Sequence, residues 1–182
     1  MSPASAAEIL AAVRRHFAQT KVVGVFLDQE LDFVQKVTTD LALDAIQLHG
    51  EETPQYLSKL DASFVIKALR IGRYSAFAPA DYKCDAILLD TWSAQSPGGT
   101  GETFPWSLAA ALEPQVRRLI LAGGLTSANV ADAIRTVRPF ALDVCSSVEA
   151  APGRKDPLKV RRFVGAVRAV EEEKVSSEKT SL

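Results

Sequence analysis

Polar side chains stand at the ends of several short apolar runs, where a parallel sheet would gather a site. Gln47 and His49 close one run with a single residue between them, so they share a face if the run is a strand. Asp90 directly follows the run Ala86–Leu89. These groups either act on a substrate, as a general acid or base would, or satisfy backbone groups of the next turn.

A lysine interrupts another apolar run, Phe64–Ala68. If Lys67 points into the core, it needs a partner, because burial penalises an isolated ammonium group. If it leans outward, it is an ordinary surface lysine. The sequence leaves both interpretations open.

Glycines and serines follow the last two apolar runs. One run ends in Gly123-Gly124, and the other contains Asp143 and leads into Cys145-Ser146. Exposed backbone N–H groups and a helix N-terminus bind an oxyanion without any lysine or arginine. Barrel enzymes often bind phosphate in the loops that follow their last two strands. The pairing therefore predicts a phosphate site.

A further glycine cluster lies in the long connection between residues 92 and 103. It contains Gly98, Gly99 and Gly101. Glycines there either allow a loop to close over a ligand or simply make the connection flexible. The cluster is neither a dinucleotide fingerprint nor a nucleotide P-loop, since the Gly-Lys-Ser/Thr ending is absent.

The elements that would position these residues alternate along the chain. Apolar runs predict strands at Val22–Phe26, Ala45–Leu48, Phe64–Ala68, Ala86–Leu89, Leu119–Ala122 and Ala141–Val144. Helical spacing predicts helices at Ser5–Ala18, Leu31–Leu41, Pro54–Leu60, Trp106–Leu112, Ser127–Val137 and Pro157–Glu173. The runs are continuous rather than alternating, which is typical of parallel strands covered on both faces.

The spacing of the runs indicates an α/β fold of repeated βα units. Strands begin about every 24 residues, which fits a strand plus a crossover helix. About six units follow one helix, as either an open doubly wound sheet or part of a (β/α)8 TIM barrel. A barrel would be incomplete, since only 21 residues precede Val22. Its first strand, first helix and second strand would be missing.

Composition excludes several classes of protein. The chain has 182 residues, with 21 Lys and Arg against 22 Asp and Glu, so it lacks the basic excess of a nucleic-acid binder. No run is long enough for a membrane span, and no signal peptide is evident. Cys84 and Cys145 show no metal-ligand spacing and are expected to be free thiols in the cytoplasm.

One domain over 1–173 and a disordered polar tail over 174–182 are expected.

Taken together, the motifs identify a family. The stretches that carry the likeness are Val23–Phe26, Gln47–Glu51, Leu88–Thr91, Gly98–Gly101, Ala122–Leu125 and Asp143–Asp156. In this order and spacing, the chain resembles phosphoribosylanthranilate isomerase, a (β/α)8 enzyme of tryptophan biosynthesis. The likeness covers residues 23 to about 169.

The resemblance implies an Amadori rearrangement of N-(5-phosphoribosyl)anthranilate to the 1-deoxyribulose 5-phosphate aminoketose, with no metal or other cofactor. It implies that Asp90 is the general acid, which must then hold a proton at neutral pH. The implied phosphate ligands are Gly123, Gly124, Cys145 and Ser146. The implied pocket residues are Gln47, His49, Gly99, Gly101 and Asp143.

Two departures from the family pattern stand out. The cysteine base of a Lys-x-Cys-Gly stretch and a carboxylate-binding arginine after the second strand have no counterpart here, so we expect little or no turnover from these 182 residues. Ser147 replaces an expected glycine. If that position needs a positive φ, serine costs about 1 kcal/mol.

Two other functions compete with the isomerase. One is a truncated, non-catalytic paralogue that binds a phosphorylated ligand or a protein partner. An open barrel exposes the unpaired strand edges Val22–Phe26 and Ala141–Val144, so the chain is expected to self-associate. The other is a phosphate-handling barrel enzyme such as indole-glycerol-phosphate synthase, which ranks low because its lysine-rich catalytic set is not evident.

Overall fold

The computed structural model describes residues 1–71, 79–91 and 105–180, and the side chains of 1–70, 79–90 and 105–173. Its main strands are β1 Val23–Phe26, β2 Ala45–Leu48, β3 Val65–Ile71, β4 Ala86–Thr91, β5 Leu119–Leu121 and β6 Ala141–Leu142. A short hairpin follows, formed by β7 Glu149–Ala151 and β8 Arg154–Lys155.

The helices alternate with the main strands. They are α1 Pro3–His16, α2 Leu31–Asp40, α3 Pro54–Leu57, α4 Trp106–Leu112, α5 Val130–Val137 and α6 Pro157–Thr180. Short 3-10 helices lie at Pro79–Asp81, Glu113–Gln115 and Ser146–Val148. The strand order is β1-β2-β3-β4-β5-β6, and the pairs β1–β2, β2–β3 and β5–β6 are parallel. This succession is the βα repeat that the sequence predicts.

The chain divides into two compact units, Met1–Leu69 with Ala78–Ile87, and Arg70–Phe77 with Leu88–Leu182. In the first unit, all four residues of β2 are buried between its neighbours. Phe26, Val34, Ile46 and Leu48 pack together in one apolar cluster. A strand buried on both faces has no solvent side, which explains its continuous apolar run.

In the second unit, helix α5 buries one stripe of side chains. Val130, Ala133, Ile134 and Val137 are buried, at the i, i+3, i+4, i+7 spacing of one helix face. The helix ends where Arg138 adopts a left-handed conformation with φ of 55°. No described helix is both long enough and apolar enough to span a membrane.

The predicted boundaries differ from the observed ones mainly at element ends. β2 and α4 match the prediction, whereas β3 continues to Ile71 and α5 begins only at Val130. Ser2 caps α1 by accepting a hydrogen bond from the backbone N–H of Ser5 at 3.2 Å, and Pro3 follows as the first helical residue. The 1–173 domain and the disordered tail stay predictions.

Candidate active site

Gln47 and His49 form a hydrogen-bonded pair at the end of β2. The amide Nε2 of Gln47 lies 2.9 Å from Nδ1 of His49. Gln47 is buried and His49 is half-buried. With the amide nitrogen as donor, Nδ1 accepts, so a neutral imidazole carries its proton on Nε2. The prediction that the two side chains share one face is confirmed.

Lys67 points inward and has a charged partner. Its Nζ lies 2.8 Å from Oε2 of Glu52, and both side chains are only 2% exposed. The ammonium also donates to the backbone oxygens of Gly50 at 2.6 Å and Leu48 at 3.3 Å. The structure therefore decides between the two interpretations of Lys67, in favour of a buried ion pair.

The Glu52 carboxylate also joins the loops that follow β1 and β2. Its Oε1 accepts from the backbone N–H of Asp28 at 3.0 Å, and both of its oxygens accept from that of Gly50. Asp28 has a left-handed φ of 56°, and its Oδ1 accepts from the N–H of Glu51 at 2.6 Å. Sequence reasoning missed Glu52, because a glutamate beside the exposed Glu51 gives no local sign of burial.

In the second unit, Asp90 lies near the carboxyl end of β4 and is half-buried. Its neighbour Leu89 accepts a hydrogen bond from the N–H of Ala122 at 2.8 Å. Asp143 directly follows β6, and its own N–H donates to Leu121 at 2.9 Å. Both carboxylates thus stand at strand ends, as the sequence predicts.

The loop after β5 is built around two left-handed glycines. Gly123 has φ of 82° and Gly124 has φ of 62°, conformations that a side chain disfavours. Asn129 fixes this loop, since its Nδ2 donates to the backbone oxygen of Gly124 at 3.0 Å and its Oδ1 accepts from Thr126 at 2.8 Å. An Asn just before a helix is a signal for such a loop-stabilising role.

The loop after β6 carries Cys145 and Ser146, both exposed, with Cys145 preceding the 3-10 helix Ser146–Val148. Ser147 is not among the residues with positive φ, so the backbone cost anticipated for it does not arise. Its hydroxyl instead donates to the backbone oxygen of Leu125. Ser147 therefore connects the two loops predicted to hold phosphate.

An ammonium group also lies at this loop, which sequence reasoning did not expect. Lys155 on β8 donates to the backbone oxygen of Cys145 at 2.9 Å and to Oε1 of Glu149 at 2.9 Å. The hydrogen bond from Lys155 lowers the pKa of the Glu149 carboxyl. The hairpin β7–β8 thus holds the backbone carbonyl of Cys145 in place through Lys155.

Replacing Ser147 with alanine is expected to lower the free energy of unfolding by about 1 kcal/mol, the usual worth of one hydrogen bond. Urea unfolding followed by circular dichroism measures the change. Ser58→Ala is the control, because that hydroxyl donates to the nearby backbone oxygen of Gln55, at 2.8 Å in an exposed segment, and not to a second loop. Equal losses in the two variants would contradict a connecting role for Ser147.

Gly99 and Gly101 lie outside the described residues. The remaining predicted residues are placed in two groups, one in each compact unit. Gln47 and His49 belong to the first. The second holds Asp90, Gly123, Gly124, Asp143, Cys145 and Ser146.

Repeated βα units with polar groups at the carboxyl ends of the strands fit both architectures that the sequence predicts, and the solved structures that match the chain identify the class as the (β/α)8 barrel, here incomplete. Residues 1–166 match the family model described as N-(5'phosphoribosyl)anthranilate (PRA) isomerase. The chain therefore belongs to the N-(5'-phosphoribosyl)anthranilate isomerase family.

Curated relatives and solved structures agree with this assignment. The chain is 50% identical to the N-(5'-phosphoribosyl)anthranilate isomerase of Citrifermentans bemidjiense over 151 residues, which are 82% of this chain and 72% of that protein. It is 44% identical to that of Pelobacter propionicus over 90% of this chain and 77% of the relative. The crystal structure of the Thermotoga maritima isomerase matches with a TM-score of 0.79 and 34% identity, over 93% of this chain and 82% of that one.

Proposed function

We propose that this protein acts in the isomerisation of N-(5'-phosphoribosyl)anthranilate to the corresponding 1-deoxyribulose 5-phosphate aminoketose, a step of tryptophan biosynthesis. The observation that carries the proposal is the family match over residues 1–166, which contains every residue assigned a role below. A structural neighbour, at TM-score 0.72 and 32% identity over 93% of this chain and 80% of its own, was solved in complex with reduced 1-(o-carboxyphenylamino)-1-deoxyribulose 5-phosphate.

The proposed chemistry is a series of proton transfers. Asp90 donates a proton to the ring oxygen of the substrate, and the C1–O bond breaks to give an open-chain iminium. A base removes the proton from C2; the family resemblance gives this role to the Lys-x-Cys-Gly cysteine, and no residue of these 182 is assigned to it. The electron pair of the broken C2–H bond neutralises the iminium to form an enolamine. The enolamine tautomerises to the aminoketone. No electrons enter or leave, so proton donors and acceptors suffice and no cofactor is assigned.

The substrate phosphate is assigned to Gly123, Gly124, Cys145 and Ser146. The support is geometric, since the left-handed glycines leave no side chain over the backbone and the Ser147 hydroxyl links the two loops. Gln47, His49 and Asp143 are assigned to the pocket, together with Gly99 and Gly101. Both cysteines are free thiols, which supports assignment to a reducing cytosol. Self-association through the edge of β1 stays a prediction.

Binding of reduced 1-(o-carboxyphenylamino)-1-deoxyribulose 5-phosphate, measured by calorimetry, tests the function independently of turnover. We expect saturable binding that Gly124→Ala weakens about tenfold or more, equivalent to about 1.4 kcal/mol, because a Cβ strains the left-handed backbone at the phosphate.

Gly153→Ala is the matched control for this experiment. Gly153 is also left-handed, with φ of 76°, but nothing lies within 4 Å of the point that an added Cβ would occupy, and it belongs to the turn between β7 and β8. The affinity of this variant is expected to stay within about twofold of the unaltered chain. Failure to saturate, or equal affinity for inorganic phosphate, would overturn the proposed function.

A further inference from the structure

The backbone around His49 is held on both sides by buried charges. The carbonyl oxygens of Leu48 and Gly50, which flank His49, both accept from Nζ of Lys67. The N–H of Gly50 donates to the Glu52 carboxylate. The N–H of His49 itself donates to the backbone oxygen of Phe26 at 2.8 Å. These bonds fix the planes of the two peptide groups on either side of His49, and the bond to the Gly50 oxygen fixes the next peptide group along the chain.

With the backbone fixed, a hydrogen bond at Nδ1 orients the ring of His49. Nδ1 of His49 meets the Gln47 amide at 2.9 Å, and Gln47 is itself buried in β2. An acceptor at Nδ1 places the proton of the neutral ring on Nε2. The tautomer and the direction of the Nε2 proton therefore depend on the position of the backbone beneath them.

We propose that Lys67 and Glu52 are positioning residues, which set the orientation and tautomer of His49 for the substrate. The inference rests on the proposed function, since that function makes Gln47 and His49 pocket residues. Neither Lys67 nor Glu52 reaches a substrate, because both side chains are 2% exposed. They act through the peptide groups around His49.

The contrast with a surface ion pair supports this role. Lys36 and Asp40 also form an ion pair, at 2.7 Å, but their side chains are 73% and 54% exposed. An exposed pair of this kind contributes little. The buried pair instead forms the hydrogen bonds that water would otherwise make. Lys67 donates to the carbonyl oxygens of Leu48 and Gly50, and Glu52 accepts from the N–H groups of Gly50 and Asp28.

Glu52→Gln is the informative single substitution. Glutamine has an NH2 group in place of one of the two accepting oxygens, so either the Lys67 side or the Asp28 side of the network loses its acceptor. We expect 15N spectra of the ligand-free protein to show His49 leaving the single Nε2-protonated tautomer. The affinity for the reduced product is expected to fall about tenfold, with affinity for inorganic phosphate within about twofold.

Two further variants keep the test decisive. Asp40→Asn, in the exposed pair, is the control and is expected to change neither readout. If Glu52→Gln does not fold, the double variant Glu52→Gln/Lys67→Met removes both buried charges and is expected to show the same change at His49. A folded variant with an unchanged His49 tautomer and unchanged affinity overturns the inference.

The two readouts separate this inference from the proposed function. If the unaltered chain does not bind the reduced product, the proposed function fails, and the His49 spectrum of the ligand-free variants still reports on positioning. If the unaltered chain binds and the variants bind equally well with an unchanged tautomer, the positioning role fails and the function stands.

Discussion

Lys67→Met is expected to lower the free energy of unfolding by about 3–5 kcal/mol. Methionine is close to lysine in length but leaves the Glu52 carboxylate buried without its counter-charge. It also removes the donor that satisfies the backbone oxygens of Leu48 and Gly50. Buried acceptors without partners add to the loss. Urea unfolding followed by tryptophan fluorescence and circular dichroism measures it, with coincident transitions confirming a two-state process.

Lys36→Met is the control for this prediction, because it removes the ammonium from the exposed pair with Asp40. Its expected loss is at most about 1 kcal/mol. The double variant Lys67→Met/Glu52→Gln is expected to lose less than the sum of the two single variants, since it leaves no uncompensated charge. Similar losses from Lys67→Met and Lys36→Met would contradict the energetic importance of the buried pair.

The main strands could be predicted because a strand that is buried on both faces has apolar residues at nearly every position. β2 begins and ends as expected for that reason, with all four residues buried. The pairing of Gln47 with His49 also follows from local geometry, since alternate side chains of a strand share a face. These features depend on residues close in sequence.

The partner of Lys67 could not be predicted, because it lies 15 residues earlier in the chain. Glu51 and Glu52 are adjacent and chemically alike, yet one is exposed and the other buried. Their difference arises only when the loops after β1 and β2 meet. The periodicity of the sequence within one loop does not show which other loop it contacts.

The β7–β8 hairpin was missed for a different reason. Its strands are two and three residues long and mostly exposed, so they show neither an apolar run nor a clear alternation. The contact between Lys155 and Cys145 depends on this hairpin and was missed with it. At Ser147 the condition for backbone strain, a positive φ, is not met, and a hydroxyl contact that the sequence did not indicate is present.

Gly50→Ala is expected to destabilise the chain by about 3 kcal/mol, at the upper end of the usual cost of overpacking. A Cβ at this position would clash with Oδ1 of Asp28 and would lie 2.7 Å from the backbone nitrogen of the same residue. Asp28 cannot move aside easily, because its N–H donates to Glu52 and its carboxylate accepts from Glu51. Relief of the clash must therefore disturb the loops after β1 and β2 together.

Gly165→Ala is the matched control for this last prediction. Gly165 lies within α6 with nothing inside 4 Å of the point that an added Cβ would occupy, so alanine there is expected to stabilise the chain by about 0.5–1 kcal/mol through helix propensity. Substitution by alanine is thus expected to lower the free energy of unfolding at Gly50 and to raise it at Gly165. Urea unfolding of both variants measures the difference. A Gly50→Ala chain as stable as the unaltered one would show that the Asp28 loop yields without cost, and that the buried network does not hold it in place.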